Sequence, residues 1–315
     1  VRVRIIITGS SGQIGTNLAL RLLRDGHTVF GVDRRVNTWT DAFPTLLQDL
    51  SAPYRDFVGG IGGAPYPPGD IVVHLAANAK VHELVEHPHR ALENIIVTFN
   101  VLEYCRANNL PIVFSSSREV YGDIHRYITE EEQANFKFTE SPYSASKISG
   151  EALIYSYARC YHMRYLIFRF SNVYGRYDDD IERMERVIPL FIRRINRGEP
   201  VTVYGKEKIL DFTFVDDCVE GIYRGMERLL AGQVYNHTIN LAYGEGNSLV
   251  HMAELVGKAL QVTPEIKVEP AKRPGEVTHY VANIGLARKL LDYTPQVPLE
   301  EGIPQAVTWA TRQKE

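Results

Sequence analysis

"IIITGSSGQIG", residues 5–15, decides how this chain begins. An apolar run ends at Thr8. Glycines stand at positions 9, 12 and 15, and Ile14, Leu18, Leu22 and Leu23 then recur at helical spacing. Strand, G-x-x-G-x-x-G, helix is the order that sets a backbone turn against a pyrophosphate. Glycine permits the turn and the close approach, and the helix start offers unpaired N–H groups and the positive end of its dipole. A glycine-rich loop with no ligand is the other reading of this stretch taken alone.

The alternation continues downstream. Residues 28–32 read as a strand ending at Asp33, and 71–75 and 112–114 as strands buried on both faces. Residues 89–108 and 143–161 read as helices, and 165–170 as another strand. The pattern predicts an α/β fold, a Rossmann-type doubly wound parallel sheet over residues 1–175. Beyond it the regularity breaks. A helix is expected at 188–197, short strands at 201–204 and 212–215, and a helix at 248–260, before prolines at 264, 270, 274, 295 and 298 interrupt the pattern. These late segments predict a smaller α/β substrate-binding lobe over 176–315, with 205–245 returning to the first domain.

With 315 residues, 44% of them hydrophobic, the chain can bury a large core. A net charge of −3 gives no reason to expect nucleic-acid binding. No apolar run is long enough to span a bilayer, so no membrane partner is expected. No signal peptide is expected, and the opening on Val1 suggests a trimmed start. The three cysteines are scattered and odd in number, which suits a reducing cytoplasm and makes no disulfide framework. His82, His87 and His89 cluster around Pro88 at poor ligand spacing, and no metal is expected.

Asp33 closes the second strand, where a carboxylate accepts hydrogen bonds from an adenosine ribose and repels a 2′-phosphate. That favours NAD over NADP, although Arg34 and Arg35 stand beside it. Further on, "YSASK" puts Tyr143 and Lys147 four apart, on one face of a helix. A free phenol titrates near 10; an ammonium and an oxidised nicotinamide both favour phenolate, making a usable base. "VFSSSREVYG", residues 113–122, places serines at a strand end, within reach of the same substrate oxygen, or as helix-capping residues.

Together "TGSSGQIG", "VDRR", "VVHLAANAKV", "NIIVTFNVLE", "SSSREVYG", "YSASK", "FRFSNVYG", "VYGKEKILDFTFVDD" and "RPGE" resemble the extended short-chain dehydrogenase/reductases, in the nucleotide-sugar epimerase/dehydratase branch. The resemblance runs from residue 8 to beyond 276. It implies that Gly9, Gly12, Gln13, Ile14 and Gly15 form the pyrophosphate turn. Leu75, Ala76 and Ala77 line the ribose and nicotinamide side of the cofactor, and Lys80, Asn94, Ser115 and Arg34 lie near it. It implies Ser117, Tyr143 and Lys147 as the catalytic set. Asn172, Val187, Thr202, Tyr204 and Arg273 fall where the family holds the substrate's nucleotide diphosphate. It also suggests a homodimer through the helices at 90–107 and 144–161.

The chain departs from the family at four places. Leu210 stands where an arginine usually precedes Asp211, leaving Arg273 as the main matched cation, with Lys206 or Lys208 to help. Gly59 and Gly60 replace an acidic residue near the adenine, and Arg176 replaces a proline. Arg118 and Glu119 follow the catalytic serine, where sugar epimerases often carry small residues. A glutamate at 119 resembles the dehydratases and uronate decarboxylases. Arg118 either pairs with a substrate carboxylate, implying a uronate, or pairs with Glu119, implying a neutral sugar. The expected function is an NAD-dependent nucleotide-sugar 4-epimerase acting on a UDP-hexose or UDP-uronate through a 4-keto intermediate. A dehydratase or UDP-glucuronate decarboxylase using Glu119 is the alternative, and a non-catalytic NAD-binding regulator a third.

Overall fold

The computed structural model describes residues 2–52, 69–123, 128–178, 184, 186–205, 207–271 and 273–312. Gly59, Gly60, Lys206 and residues 179–183 and 185 therefore lie outside the described residues.

The first half runs β1 (Arg4–Thr8), α1 (Gln13–Arg24), β2 (Thr28–Asp33), β3 (Thr45–Leu47), β4 (Ile71–His74), α2 (Val81–Glu86), α3 (His89–Asn108), β5 (Ile112–Ser117), α4 (Pro142–Tyr161), β6 (Tyr165–Phe170) and β7 (Asn172–Tyr174). The second runs α5 (Val187–Asn196), β8 (Val201–Tyr204), β9 (Ile209–Phe214), α6 (Val215–Leu230), β10 (His237–Leu241), β11 (Gly246–Ser248), α7 (Leu249–Leu260), β12 (Ile266–Glu269), β13 (His279–Tyr280), α8 (Gly285–Leu291) and α9 (Leu299–Arg312).

Among the described residues, seven strands form one parallel sheet in the order β10-β6-β5-β4-β1-β2-β3. Strand order reverses at β1, between β4 and β2, and ligands of open α/β sheets bind above such a point, at the carboxyl ends of the strands. The central strands are apolar on both faces because helices cover both. Ile5, Ile7, Val73 and Phe168 pack with residues of α1, α6 and α8 on one side. Ile6, Val72, Phe114 and Ile167 pack with residues of α3 and α4 on the other.

A smaller lobe has its own core. Val201, Val203, Phe212, Ile188, Phe191, Met252, Val256 and Ile303 bury together, drawn from β8, β9, α5, α7 and α9. β9 lies between antiparallel β11 and parallel β13 and also pairs with β7. β10 re-enters the main sheet beside β6.

Besides the short α2 and α8, two longer helices depart from the sequence expectation. α6 occupies 215–230, where only the end of a short strand was read, and α9 spans 299–312 beyond the prolines, with Pro304 inside it. Pro304 is the sixth residue of α9, past the first turn, so the helix forgoes one i→i−4 hydrogen bond there.

Candidate active site

One crevice of about 490 Å³ opens at the carboxyl ends of β1, β2, β4 and β5 and extends under the smaller lobe. Every residue expected to hold cofactor or substrate or to act in catalysis lies on its wall, apart from Lys206, which is outside the described residues. The structure thus brings together side chains from residue 9 to residue 273.

At one end the chain turns from β1 into α1. Gly9 has φ +72°, and a Cβ there would meet the Ala76 nitrogen at 2.7 Å, so only glycine fits this turn against the end of β4. Gly12 caps α1 without a side-chain hydrogen bond, leaving the amides of the first turn to the crevice. Buried Gln13 has a side-chain nitrogen with no hydrogen-bond partner among the described residues. Asp33, at the end of β2, is buried and accepts from the Ser11 and Arg35 amides at 3.0 Å each. Arg34 turns to Asn78 at 2.9 Å. A helix start for a pyrophosphate and a strand-end carboxylate for a ribose fit NAD at this end.

Other expected cofactor residues shape the wall. Leu75 and Ala76 are tied to Thr8 through their amides. Asn94 accepts from the Asn78 amide at 2.7 Å and donates to the Asn78 carbonyl at 3.0 Å, so its side chain holds the loop after β4. Lys80 caps α2 at the rim.

Midway along, β5 ends in three serines whose directions alternate. Ser116 donates to Glu151 at 2.5 Å, away from the reacting centre. Ser117 lies beside the Tyr143 phenol, whose titration it lowers, and accepts from the Glu119 amide at 3.2 Å, capping the short turn at Arg118–Tyr121. The capping reading of this serine is thus seen directly. Tyr143 and Lys147 stand in the first turns of α4, which starts on the Ser141 cap and Pro142. Lys147 Nζ donates to the Ser115 carbonyl at 2.7 Å and lies 5.9 Å from the Tyr143 ring centre.

The electrostatics show what the chain supplies without the nicotinamide. Burial pushes the Tyr143 phenol up to about 12, more than the neighbouring Ser117 offsets. Burial also brings the Lys147 ammonium down to about 8. The chain's own groups therefore do not make Tyr143 a phenolate at neutral pH; desolvation outweighs the neighbouring charges. His74, beneath the site, was not singled out from the sequence. It bonds Thr8 at 2.6 Å, and burial followed by the Lys147 charge brings it down to about 3, so it is a neutral imidazole.

At the lobe end, Arg273 stacks on Tyr204, its guanidinium 4.2 Å from the ring centre, with Thr202 on the same strand. Val187 opens α5, and Asn172 gives its amide to the Asp211 carbonyl at 2.9 Å. Leu210 is buried. Lys208, two residues earlier, reaches the wall and pairs with Glu276 at 2.9 Å. Arg176 pairs with Asp216. Arg186, absent from the sequence reading, bonds Asp178 at 2.7 Å and Gln13 at 2.5 Å. Arg118 pairs with Glu119 at 2.8 Å.

A parallel sheet with a glycine turn at its switch point, and a serine, tyrosine and lysine midway to a second lobe, define a dinucleotide-dependent enzyme architecture. The model of the NAD dependent epimerase/dehydratase family matches residues 5–242, and the chain belongs to that family. It is 28% identical to a probable UDP-glucuronate 4-epimerase of Rhizobium meliloti, over 98% of this chain and 96% of that one. It is 27% identical to UDP-glucuronic acid decarboxylase 1 of Danio rerio, over 100% of this chain and 74% of that one. The crystal structure of UDP-glucose 4-epimerase with UDP-glucose from Thermotoga maritima superimposes with a TM-score of 0.87 at 27% identity, covering 99% and 100% of the two chains.

Proposed function

We propose that this protein is a UDP-sugar 4-epimerase. The observation that carries the reading is the placing of Ser117, Tyr143 and Lys147 midway along one crevice, between the glycine turn and the Tyr204–Arg273 stack. The similarity to UDP-glucose and UDP-glucuronate 4-epimerases supports it.

Gly9, Gly12, Gln13, Ile14 and Gly15 would hold the NAD pyrophosphate, Asp33 its adenosine ribose, and Lys147 its nicotinamide ribose. Bound NAD supplies a hydride acceptor, a hydride donor on return, and in its oxidised form a positive charge. Tyr143 takes the proton of the 4-hydroxyl as that carbon becomes a ketone, and returns it when the carbon is reduced from the other face. Ser117 hydrogen-bonds the same oxygen in both directions. Lys147, fixed on the Ser115 carbonyl, keeps a positive charge near the phenol. Arg273, stacked on Tyr204, meets the substrate diphosphate.

Glu119 favours a second reading. Its Oε2 is buried without a hydrogen-bond partner among the described residues, as a base awaiting a proton would be. The same first oxidation would then lead to decarboxylation or dehydration. Against it, Arg118 holds the other oxygen.

The exposed Leu92 and Phe99 of α3, beside α4, support a homodimer through those helices. No helix among the described residues is long and apolar enough to cross a membrane.

The test is to incubate the purified protein and NAD with UDP-glucose, UDP-glucuronate and UDP-N-acetylglucosamine, and to follow products by NMR and mass. A 4-epimer of unchanged mass is expected. Loss of carbon dioxide or water supports the second reading. No turnover of any of the three by NAD-loaded protein overturns both.

A further inference from the structure

We infer that Arg118 and Glu119 select an uncharged hexose over the corresponding hexuronate. The inference rests on the 4-epimerase reading, which brings the sugar's fourth carbon to the Tyr143 phenol and its neighbouring substituents beside it.

Both residues lie on the crevice wall, and both act electrostatically on that phenol. Arg118 Nη2 holds Glu119 Oε1 at 2.8 Å in a site that buries Glu119 to 4% exposure. The pair spends one nitrogen and one oxygen on itself. Arg118 Nη1 and Glu119 Oε2 remain, each buried and without a hydrogen-bond partner among the described residues. Both atoms are closed off from the crevice, so the residues meet a substituent there as an ion pair whose charges already answer each other. A hydroxyl beside that pair brings no further charge. A carboxylate satisfies the guanidinium but sets its charge against Glu119, and two carboxylates in one buried site repel.

The cations beside the pair offer little relief. Lys208 is paired with Glu276 at 2.9 Å, and Arg186 with Asp178 at 2.7 Å. Arg118, Lys208 and Arg186 thus each have a carboxylate of their own, while Lys147 is held at the phenol by the Ser115 carbonyl. A uronate's charge would lie against Glu119 with these three cations already paired. Relatives that handle uronates do not settle this point, because it turns on two side chains rather than on the fold.

The test measures binding by calorimetry on NAD-loaded protein carrying Tyr143→Phe, which stops turnover, with UDP-glucose and UDP-glucuronate as probes. UDP-glucose is expected to bind at least about tenfold more tightly, the effect of one opposed charge. Glu119→Gln keeps the shape and frees the Arg118 charge, and should move the ratio about tenfold toward UDP-glucuronate. Equal or tighter uronate binding in the parent, or a ratio unmoved by Glu119→Gln, overturns the inference. Should Glu119→Gln fail to fold, the parent ratio decides alone. Failure of the broader reading looks different: the preference stands while wild-type protein makes no 4-epimer. Binding of neither probe overturns both.

Discussion

The Lys147 ammonium donates a 2.7 Å hydrogen bond to the carbonyl of Ser115, two residues before the serine beside the phenol. Lysine and strand tip are thereby one unit, and the charge is fixed relative to Ser117. Lys147→Met keeps the packing of the stem and removes both charge and hydrogen bond. Turnover is expected to fall by about 10²–10³, the usual worth of a positioned acid–base group. NAD retained through purification should fall with it, measured by absorbance after acid release.

Stability should report the same lysine. Unfolding returns the ammonium to water, where its ordinary value is 10.5, whereas burial holds it at about 8. Between those values the unfolded chain carries the extra proton, so native stability rises with pH by about 1.4 kcal/mol per unit. Below pH 8 the whole penalty is present. Urea unfolding of cofactor-free wild type and Lys147→Met at pH 8 and pH 9.5 should show the difference moving in favour of wild type.

Tyr143 should titrate near 12 in cofactor-free protein and lower when oxidised NAD is added. Reduced NAD, without the ring's positive charge, should leave it high. Carbon-13 NMR of labelled tyrosine, assigned with Tyr143→Phe, reads both states. A phenol already ionised near pH 7 without cofactor would remove the need for that charge. Tyr143→Phe itself should lower turnover by orders of magnitude while NAD stays bound.

Asp33 is proposed to set cofactor choice. Its carboxylate is oriented by the Ser11 and Arg35 amides, with Arg34 held by Asn78 and the Arg35 side chain 4.0 Å away. Asp33→Ser should weaken NAD binding and improve NADP binding, changing the ratio of dissociation constants by about 10². Calorimetry with each dinucleotide measures it.

The α3–α4 face carries Leu92 at 58% and Phe99 at 38% exposure. Leu92→Glu with Phe99→Asp should convert a dimer to a monomer in sedimentation, with the monomer's circular dichroism unchanged. A wild-type protein that sediments as a monomer would rule out the proposed interface.

Where local signals are strong the sequence was enough. α3 runs from His89 to Asn108, matching its expected bounds, because Pro88 precedes it and Asn109 ends it in the left-handed conformation. The glycine turn, Asp33 and the Tyr143–Lys147 spacing were legible for the same reason: each is a short pattern with a physical cause. α6 was not, because Gly221 and Gly225 make it look like a weak helix. A Cβ at Gly225 would meet Phe168 at 2.4 Å, so the glycine serves a close approach to the sheet that only the fold reveals. Arg186 escaped notice likewise, since its partners Gln13 and Asp178 become neighbours only on folding. The Arg118–Glu119 choice could be posed from sequence, but burial and distance were needed to show that the two side chains pair with each other.

Ser116, one step back from Ser117, leads into a buried chain of bonds. Glu151 takes it up, Arg169 grips Glu151 at 2.6 and 2.9 Å, and Tyr121 links Arg169 to Asn240. That chain braces the strand end behind Ser117, and Tyr121, one of its links, shares a short turn with residues 118 and 119. On the proposed reading, an exchange at either position that alters which sugar is accepted would also be felt at the phenol, on which both act.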